Sequence, residues 1–493
     1  MDSIVAPSYT PASLKWTLTP PEGVKAITGV VIGEPEGGSG EEPYEYDVFF
    51  GADDGKIYCW RIDYDIQSGT FAPLGSPQWA TDLRADPNDP ITLASGTPVL
   101  AKARYGLEDI PALYVCTRAG SGGTLSLRLQ CLRLSDGQRL WKSVNLANGS
   151  SSALAPPLYA PYGEKSGSSW SGYRVYVARD NGGGDGPAHM MAFSTYYSPG
   201  NDAQPHWALA ATGRIVSQPA FNELGIGSVP GGSPESYWPA IYATTLDGKL
   251  EQWFDDPQFP ISGPRWVYNP PAAAFETHAC ETWPITTAND RVYYGFYFTS
   301  RFQTEYWTHE PNESGLYAVR DYSSQGQTPY GETRWPRLDP PWNWLTREVR
   351  TPPLQDRPLG KFLANPCADG GGKPALFFAT MDAGSATGKP SLIRVEDKTP
   401  PGVNEPDATA KYLKALPYDT DEVDSGTIYR SSGPWVMFVT RTGRLWATSP
   451  FAQWSYPMPS VGQNIPRHDP AMGRAGALVI ITANGQVRAY WGP

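Results

Sequence analysis

The run 124–142, TLSLRLQCLRLSDGQRLWK, sets the pattern of the chain. Apolar side chains fall on alternate positions (Leu125, Leu127, Leu129), the period of a strand with one buried face. The alternation breaks at Asp136-Gly137 and resumes into Trp141. Just before it, 112–118 (ALYVCTR) is a second β-branched and aromatic run, set off by the Gly/Ser turn 119–123. Together they predict an antiparallel meander whose outer strand carries a tryptophan. The meander returns at 47–63 (DVFFGADDGKIYCWRID), 240–255 (AIYATTLDGKLEQWFD), 435–446 (WVMFVTRTGRLW) and 477–491 (ALVIITANGQVRAYW). Each copy has an apolar strand, a polar turn ending in Gly55, Gly248, Gly443 or Gly485, and a second strand with an aromatic. A unit repeated at this scale decides the fold.

In these residues the units resemble blades of the quinoprotein-alcohol-dehydrogenase-like (PQQ-like repeat) β-propeller family. That family's repeat runs from an Asp-Gly turn through a strand with an Ala and an Asp or Asn to Thr-Gly and then Trp. Cys131 stands at the family's Ala, Arg133 at its Asp and Asp136 at its Thr, while Gly137 and Trp141 match directly. The resemblance implies an all-β fold, a single β-propeller of four-stranded antiparallel blades over residues 1–493. An indole on an outer strand can lie over a glycine peptide of the next blade, which has no side chain in the way. Trp79, Trp141, Trp207, Trp266, Trp335 and Trp454 fall where outer strands belong, with Gly137 as the matched glycine, and these are the candidate blade-docking residues.

Counting units predicts eight blades at 24–81, 91–146, 150–211, 214–269, 274–337, 345–416, 424–457 and 463–493, or seven if the irregular sixth region is an insertion. The last has three strands of its own, and 13–19 (SLKWTLT) is expected to supply the fourth, so that the N-terminus closes the ring and removes a sheet edge. Loops too long or polar for blade turns are expected at 34–46, 161–171, 221–237, 322–333 and 381–389. The most unusual stretch is 335–358, WPRLDPPWNWLTREVRTPPLQDRP. It reads either as a polyproline connection packed by its aromatics or as a partner-binding loop carrying Trp335, Trp342, Trp344, Arg347 and Arg350.

Composition agrees with many short strands: 51 Gly, 50 Pro, 13% aromatic and 18% charged residues. The 18 N-terminal residues lack a basic start and an apolar core, and no later run is long enough to span a membrane. The expectation is synthesis in the cytoplasm without membrane insertion, with release, if any, as part of a particle. Five Cys, odd in number and without a CxxC or adjacent pair, argue for reduced buried thiols. Pairing centred on Ser121-Gly122 would place Leu127 opposite Cys116. A net charge of −11 without a basic cluster disfavours nucleic acid and anionic membrane, leaving protein or carbohydrate surfaces as partners.

Candidate chemistry is sparse. An active member of the resembled family binds pyrroloquinoline quinone over a Trp, with calcium held by Glu and Asn, an Asp base and often a disulfide of adjacent Cys. This chain has no adjacent Cys, and its repeats place no counterpart of the calcium and base residues, so no cofactor and no activity are carried over. The five His show no HxH or HExxH spacing. Asp419, Asp421 and Asp424 form a candidate calcium loop, broken as an EF-hand by Val423 and Arg430. Asp53-Asp54 and Asp255-Asp256 sit at strand ends, where turn and solvation roles are expected, and 180–186 reads as a hairpin turn. Three functions follow as expectations. The first is a non-enzymatic binding or assembly module of a large complex, such as a phage-tail-like particle. The second is a lectin-like propeller, and the third a quinone-dependent oxidoreductase.

Overall fold

The computed structural model describes residues 14–33, 45–65, 70–84, 89–166, 169–182, 187–198, 202–225, 237–255 and 262–269, and between 278 and 491 the strands with short flanking pieces. Among the described residues the strands pair antiparallel into eight sheets, each with a path of four neighbours. In chain order they fall within 31–82, 92–142, 153–210, 220–268, 278–335, 359–415, 428–457 and, as the eighth, 471–491 with Leu14–Leu18 added. Leu14–Leu18 lies against Val487–Trp491, so one sheet holds both ends of the described chain. A two-stranded ladder joins Phe302–Gln303 to Thr308–His309. The helical content among the described residues is a single 3-10 turn, Gly122–Thr124. No described helix is long and apolar enough to cross a membrane.

The strands of the first four sheets are apolar on both faces because these sheets are covered on both sides. On Glu108–Ala119, Leu113 and Val115 pack against Phe49, Ile57 and Trp79 of the first sheet, while Tyr114 and Cys116 pack against Val175, Val177 and Phe193 of the third. On Ser169–Asp180 the parity repeats, with Val175 and Val177 facing the second sheet and Tyr176 and Ala178 facing the fourth. A strand buried on both faces loses the polar half of its alternation, and these strands read as near-continuous apolar runs for that reason. Trp16, Val479 and Val487 of the eighth sheet share a core with Val48, Phe50 and Tyr58 of the first, and Tyr242 and Trp266 of the fourth share one with Val292 and Tyr294 of the fifth.

Strand register shows where the indoles can lie. Across the ladder from five outer-strand Trp residues stands a small side chain: Cys59 opposite Trp79, Cys131 opposite Trp141, Ala192 opposite Trp207, Ala318 opposite Trp335, Ala447 opposite Trp454. Trp16 joins the series opposite Ala489. The sixth sheet has no outer-strand Trp. The fourth departs differently, with Gln252 opposite Trp266. Inner strands begin just after a proline in several sheets, at Val99, Leu158, Ala220 and Ile285. Pro lacks the N–H that a strand interior needs, and a strand start tolerates the loss.

Three expectations are corrected. Cys116 stands opposite Leu129 rather than Leu127, because the 3-10 turn lengthens the connection and moves the register by two residues. The region 161–171 is chiefly a hairpin rather than a loop: Leu158–Ser166 and Ser169–Asp180 pair as far as Ser166 and Ser169. Likewise Ala220–Gly225 pairs with Tyr237–Thr244, taking the first residues of the expected loop 221–237 into the ladder.

Gln252 is fully buried, and neither its amide nitrogen nor its carbonyl oxygen has a hydrogen-bond partner. An unsatisfied buried amide costs about 1–3 kcal/mol, and Met fills a similar volume without polar hydrogens. Gln252→Met is expected to raise the unfolding free energy by about 1–2 kcal/mol in a denaturant titration; a fall of that size would show that the amide is bonded in solution.

Candidate functional site

The outer-strand indoles mark the seams between consecutive sheets. Trp79 donates its Nε1–H to the carbonyl oxygen of Leu134 at 2.8 Å, reaching from the first sheet to the turn of the second. Beneath its ring lies Gly137, at φ +70°, where a Cβ would stand 2.5 Å from Trp79 Cε3 and 2.3 Å from Thr81 Oγ1. Thr81 completes the contact by donating to Gly137 O at 2.7 Å. Trp16 donates to the Tyr46 hydroxyl at 3.0 Å, and burial pushes that phenol up to about 12. Trp141 stacks on Phe193 of the third sheet, with ring centroids 6.4 Å apart. Trp266 is buried against the fifth sheet.

The third seam holds a charged cluster that the sequence did not reveal. Asp255, at 3% exposure, accepts hydrogen bonds from Trp207 Nε1 at 3.0 Å and Tyr176 Oη at 2.9 Å, and pairs with Arg174. The Arg174 guanidinium also sits 3.5 Å from the centroid of the Tyr162 ring. The expected turn role of Asp255 is therefore corrected: a strand-end carboxylate has been drawn into the seam because three donors from the neighbouring sheet converge on it. Removing one partner of such a buried pair typically costs about 3–5 kcal/mol, since the other charge is left uncompensated. Asp54 does serve its turn, accepting from Lys56 N at 3.2 Å, whereas Asp53 accepts from the more distant Lys25 N at 2.8 Å.

Trp335 and Trp454 lie on the outer strands Gly331–Trp335 and Gln453–Pro457, and their side chains fall outside the described residues. So do Trp342, Trp344, Arg347 and Arg350 of the expected binding loop, and Asp419, Asp421 and Asp424 of the calcium candidate. Among the described residues no three His, Cys, Asp or Glu side chains gather to hold a metal ion. Cys59, Cys116 and Cys131 are free and buried, and burial pushes each thiol well above its ordinary range, away from nucleophilic thiolate. Burial likewise raises the carboxyl of Glu251, against the opposing bonds from Thr212 N at 2.7 Å and Oγ1 at 2.5 Å.

Among the described residues the most exposed apolar feature is on the second sheet. Strands Val99–Tyr105 and Glu108–Ala119 form a hairpin through Gly106 and Leu107, with Gly106 at φ +62° as a two-residue turn requires. Leu107 at the tip is 92% exposed, and Tyr105 is 50% exposed. The third sheet reaches back to brace them: Arg104 N donates to Thr195 O at 2.9 Å, and Tyr197 N to Arg104 O at 3.1 Å. Tyr105 packs on Tyr197 at 5.4 Å, and Arg104 lies over Tyr196, itself 51% exposed, at 5.2 Å. At the base, Asp109 lies 3.6 Å from Arg104 and 3.9 Å from Lys102. The sequence signal was the Gly-Leu pair between two alternating runs, easily read as an ordinary turn.

No protein-family model and no curated protein matches the sequence. Among solved structures the chain is similar to BamB from Moraxella catarrhalis, with 11% identity over 95% of this chain and 98% of that one and a TM-score of 0.46. It is also similar to the WD40 domain of SCAP from fission yeast, with 11% identity, 95% of both chains covered and a TM-score of 0.44. A third is the β-propeller domain of Cps50 (Swd1) from Myceliophteria thermophila, with 10% identity, 98% and 100% covered and a TM-score of 0.39.

Gly137 and Gly106 separate backbone strain from seam contact. Both have positive φ, but a Cβ at Gly106 meets nothing within 4 Å. Gly106→Ala is expected to cost only the left-handed penalty of about 1–2 kcal/mol. Gly137→Ala adds a clash with Trp79 and Thr81, for a total of about 3 kcal/mol or more in the same denaturation assay. Equal costs would show that the indole does not rest on Gly137.

Proposed function

We propose that the eight sheets are the blades of one propeller closed by Leu14–Leu18, and that the protein is a non-enzymatic docking platform within a larger protein assembly. The observation that carries the docking reading is the projecting hairpin tip. Leu107 stands almost wholly in water on a rigid two-strand stalk, flanked by the half-exposed Tyr105 and Tyr196. Exposing such a group costs free energy that a partner's surface recovers on binding. Tyr is enriched among the residues that dominate protein interfaces, and a hairpin braced from the next sheet loses little entropy on docking. The charges beneath the tip face one another as Lys102, Arg104 and Asp109, so the tip suits an apolar pocket rather than a charged one.

The test uses tagged full-length protein in its native extract, with Leu107→Asp as the variant. Wild type is expected to recover a stoichiometric protein partner. The variant should bind that partner about 30-fold more weakly, the effect of losing roughly 2 kcal/mol at a hot spot. Its denaturation midpoint should not move, because the side chain touches little of its own fold. Undiminished binding of the same partner by Leu107→Asp would overturn the reading.

A further inference from the structure

Arg179 and His189 face each other on neighbouring strands of the third sheet. Arg179 Nη2 lies 2.8 Å from His189 Nδ1, and Arg179 Nη1 donates to the carbonyl oxygen of Leu146 at 3.0 Å. The third guanidinium nitrogen on the stem, Nε, is buried without a partner. The side chain therefore hangs from two acceptors, one on its own sheet and one on the segment arriving from the second sheet. Leu146 is buried in the core between those sheets, and its own N–H is fixed to Leu127 O at 2.7 Å.

We infer that this pair is an acid-released latch: neutral His189 holds Arg179 on Leu146, and protonation of its Nδ1 lets go of the connection between the second and third sheets. The tautomer follows from the donor set. Arginine has no acceptor, so the short contact requires Nδ1 to carry a lone pair and the ring proton to sit on Nε2. A proton added at Nδ1 sets N–H against N–H and cation against cation, and Arg179, whose charge is permanent, is the member that must move.

The groups around the ring leave Arg179 as the charge that acts on it. Ala210 lies opposite His189 on the outer strand, and Leu154 lies opposite Arg179 on the inner one. Asp180 turns to the other face, where Arg214 takes it at 2.8 Å. Burial first, and Arg179 second, lower the His189 ring below the usual histidine range, with a backbone bond at Pro187 opposing them. The sign follows from linkage. A base whose folded value is depressed takes up its proton more readily when unfolded, so this stability is complete above the ordinary histidine range and is lost as pH falls below it.

The test is backbone hydrogen exchange of the full chain at about pH 7.5 and about pH 5.5, corrected for the intrinsic pH dependence, with His189→Asn beside wild type. Asn offers a carbonyl oxygen near the position of Nδ1 and takes up no proton. In wild type, amides of 143–152 are expected to lose about tenfold protection on acidification, the fold-change that losing one hydrogen bond to a charged group carries. In the Asn variant they should stay protected. Equal acid sensitivity in both proteins would overturn the latch. The nitrogen NMR shifts of wild-type His189 give a second reading that needs no variant: an unprotonated Nδ1 at the higher pH supports the latch, and a protonated one refutes it.

Discussion

The structure depends on one steric arrangement, a broad indole on an outer strand placed opposite a side chain small enough to leave it room. Where Cys59, Cys131 or Ala192 stands across the ladder, the indole has room and is held from its own sheet by a tilted or edge-on aromatic, Phe49 at Trp79, Tyr114 at Trp141 and Tyr176 at Trp207. The indole then reaches the next sheet with both its apolar surface and, at Trp16, Trp79 and Trp207, its N–H. Burial of so large a group, with its single donor satisfied, makes a seam both strong and specific in orientation.

The seams are alike in geometry and different in chemistry. The first to second uses a backbone carbonyl and a glycine, whereas the third to fourth uses a carboxylate held by Arg174 and Tyr176. The eighth to first uses a buried phenol. Carbonyls and phenols are neutral acceptors and cost little to bury, but Asp255 needs its full set of donors. Polar groups at the seams are thus tied to the sheet beyond their own, and Arg179 follows the same rule through Leu146. The rule has departures among the described residues: the Trp141 indole nitrogen, buried without a partner, and Gln252, a buried amide at a position that elsewhere takes Cys or Ala, with no group to bond.

Much of this architecture was legible in the sequence, because short apolar runs and Gly-ended turns are local signals. The ranges read for the repeats and those of the observed sheets coincide closely, and the outer-strand Trp residues stand out by type. What escaped depends on register and on neighbours. Cys116 was misplaced by two residues because a 3-10 turn lengthens its hairpin. Asp255 reads as a turn residue until the donors of another sheet are known, and Trp16, though its strand is expected in the eighth sheet, joins the indole series only once the register sets it opposite Ala489. Leu107 is an unremarkable residue in sequence, and only its place at a hairpin tip gives it weight.

Trp16 offers the most direct test of the account, since its indole reaches from the eighth sheet to Tyr46 of the first. Trp16→Ala is expected to lower the unfolding free energy by about 3–5 kcal/mol. By hydrogen exchange it should deprotect Leu14–Leu18, Val487–Trp491 and Tyr46–Gly51 together. An unchanged midpoint, with deprotection confined to Leu14–Leu18, would contradict the claim that the indoles hold neighbouring sheets to one another.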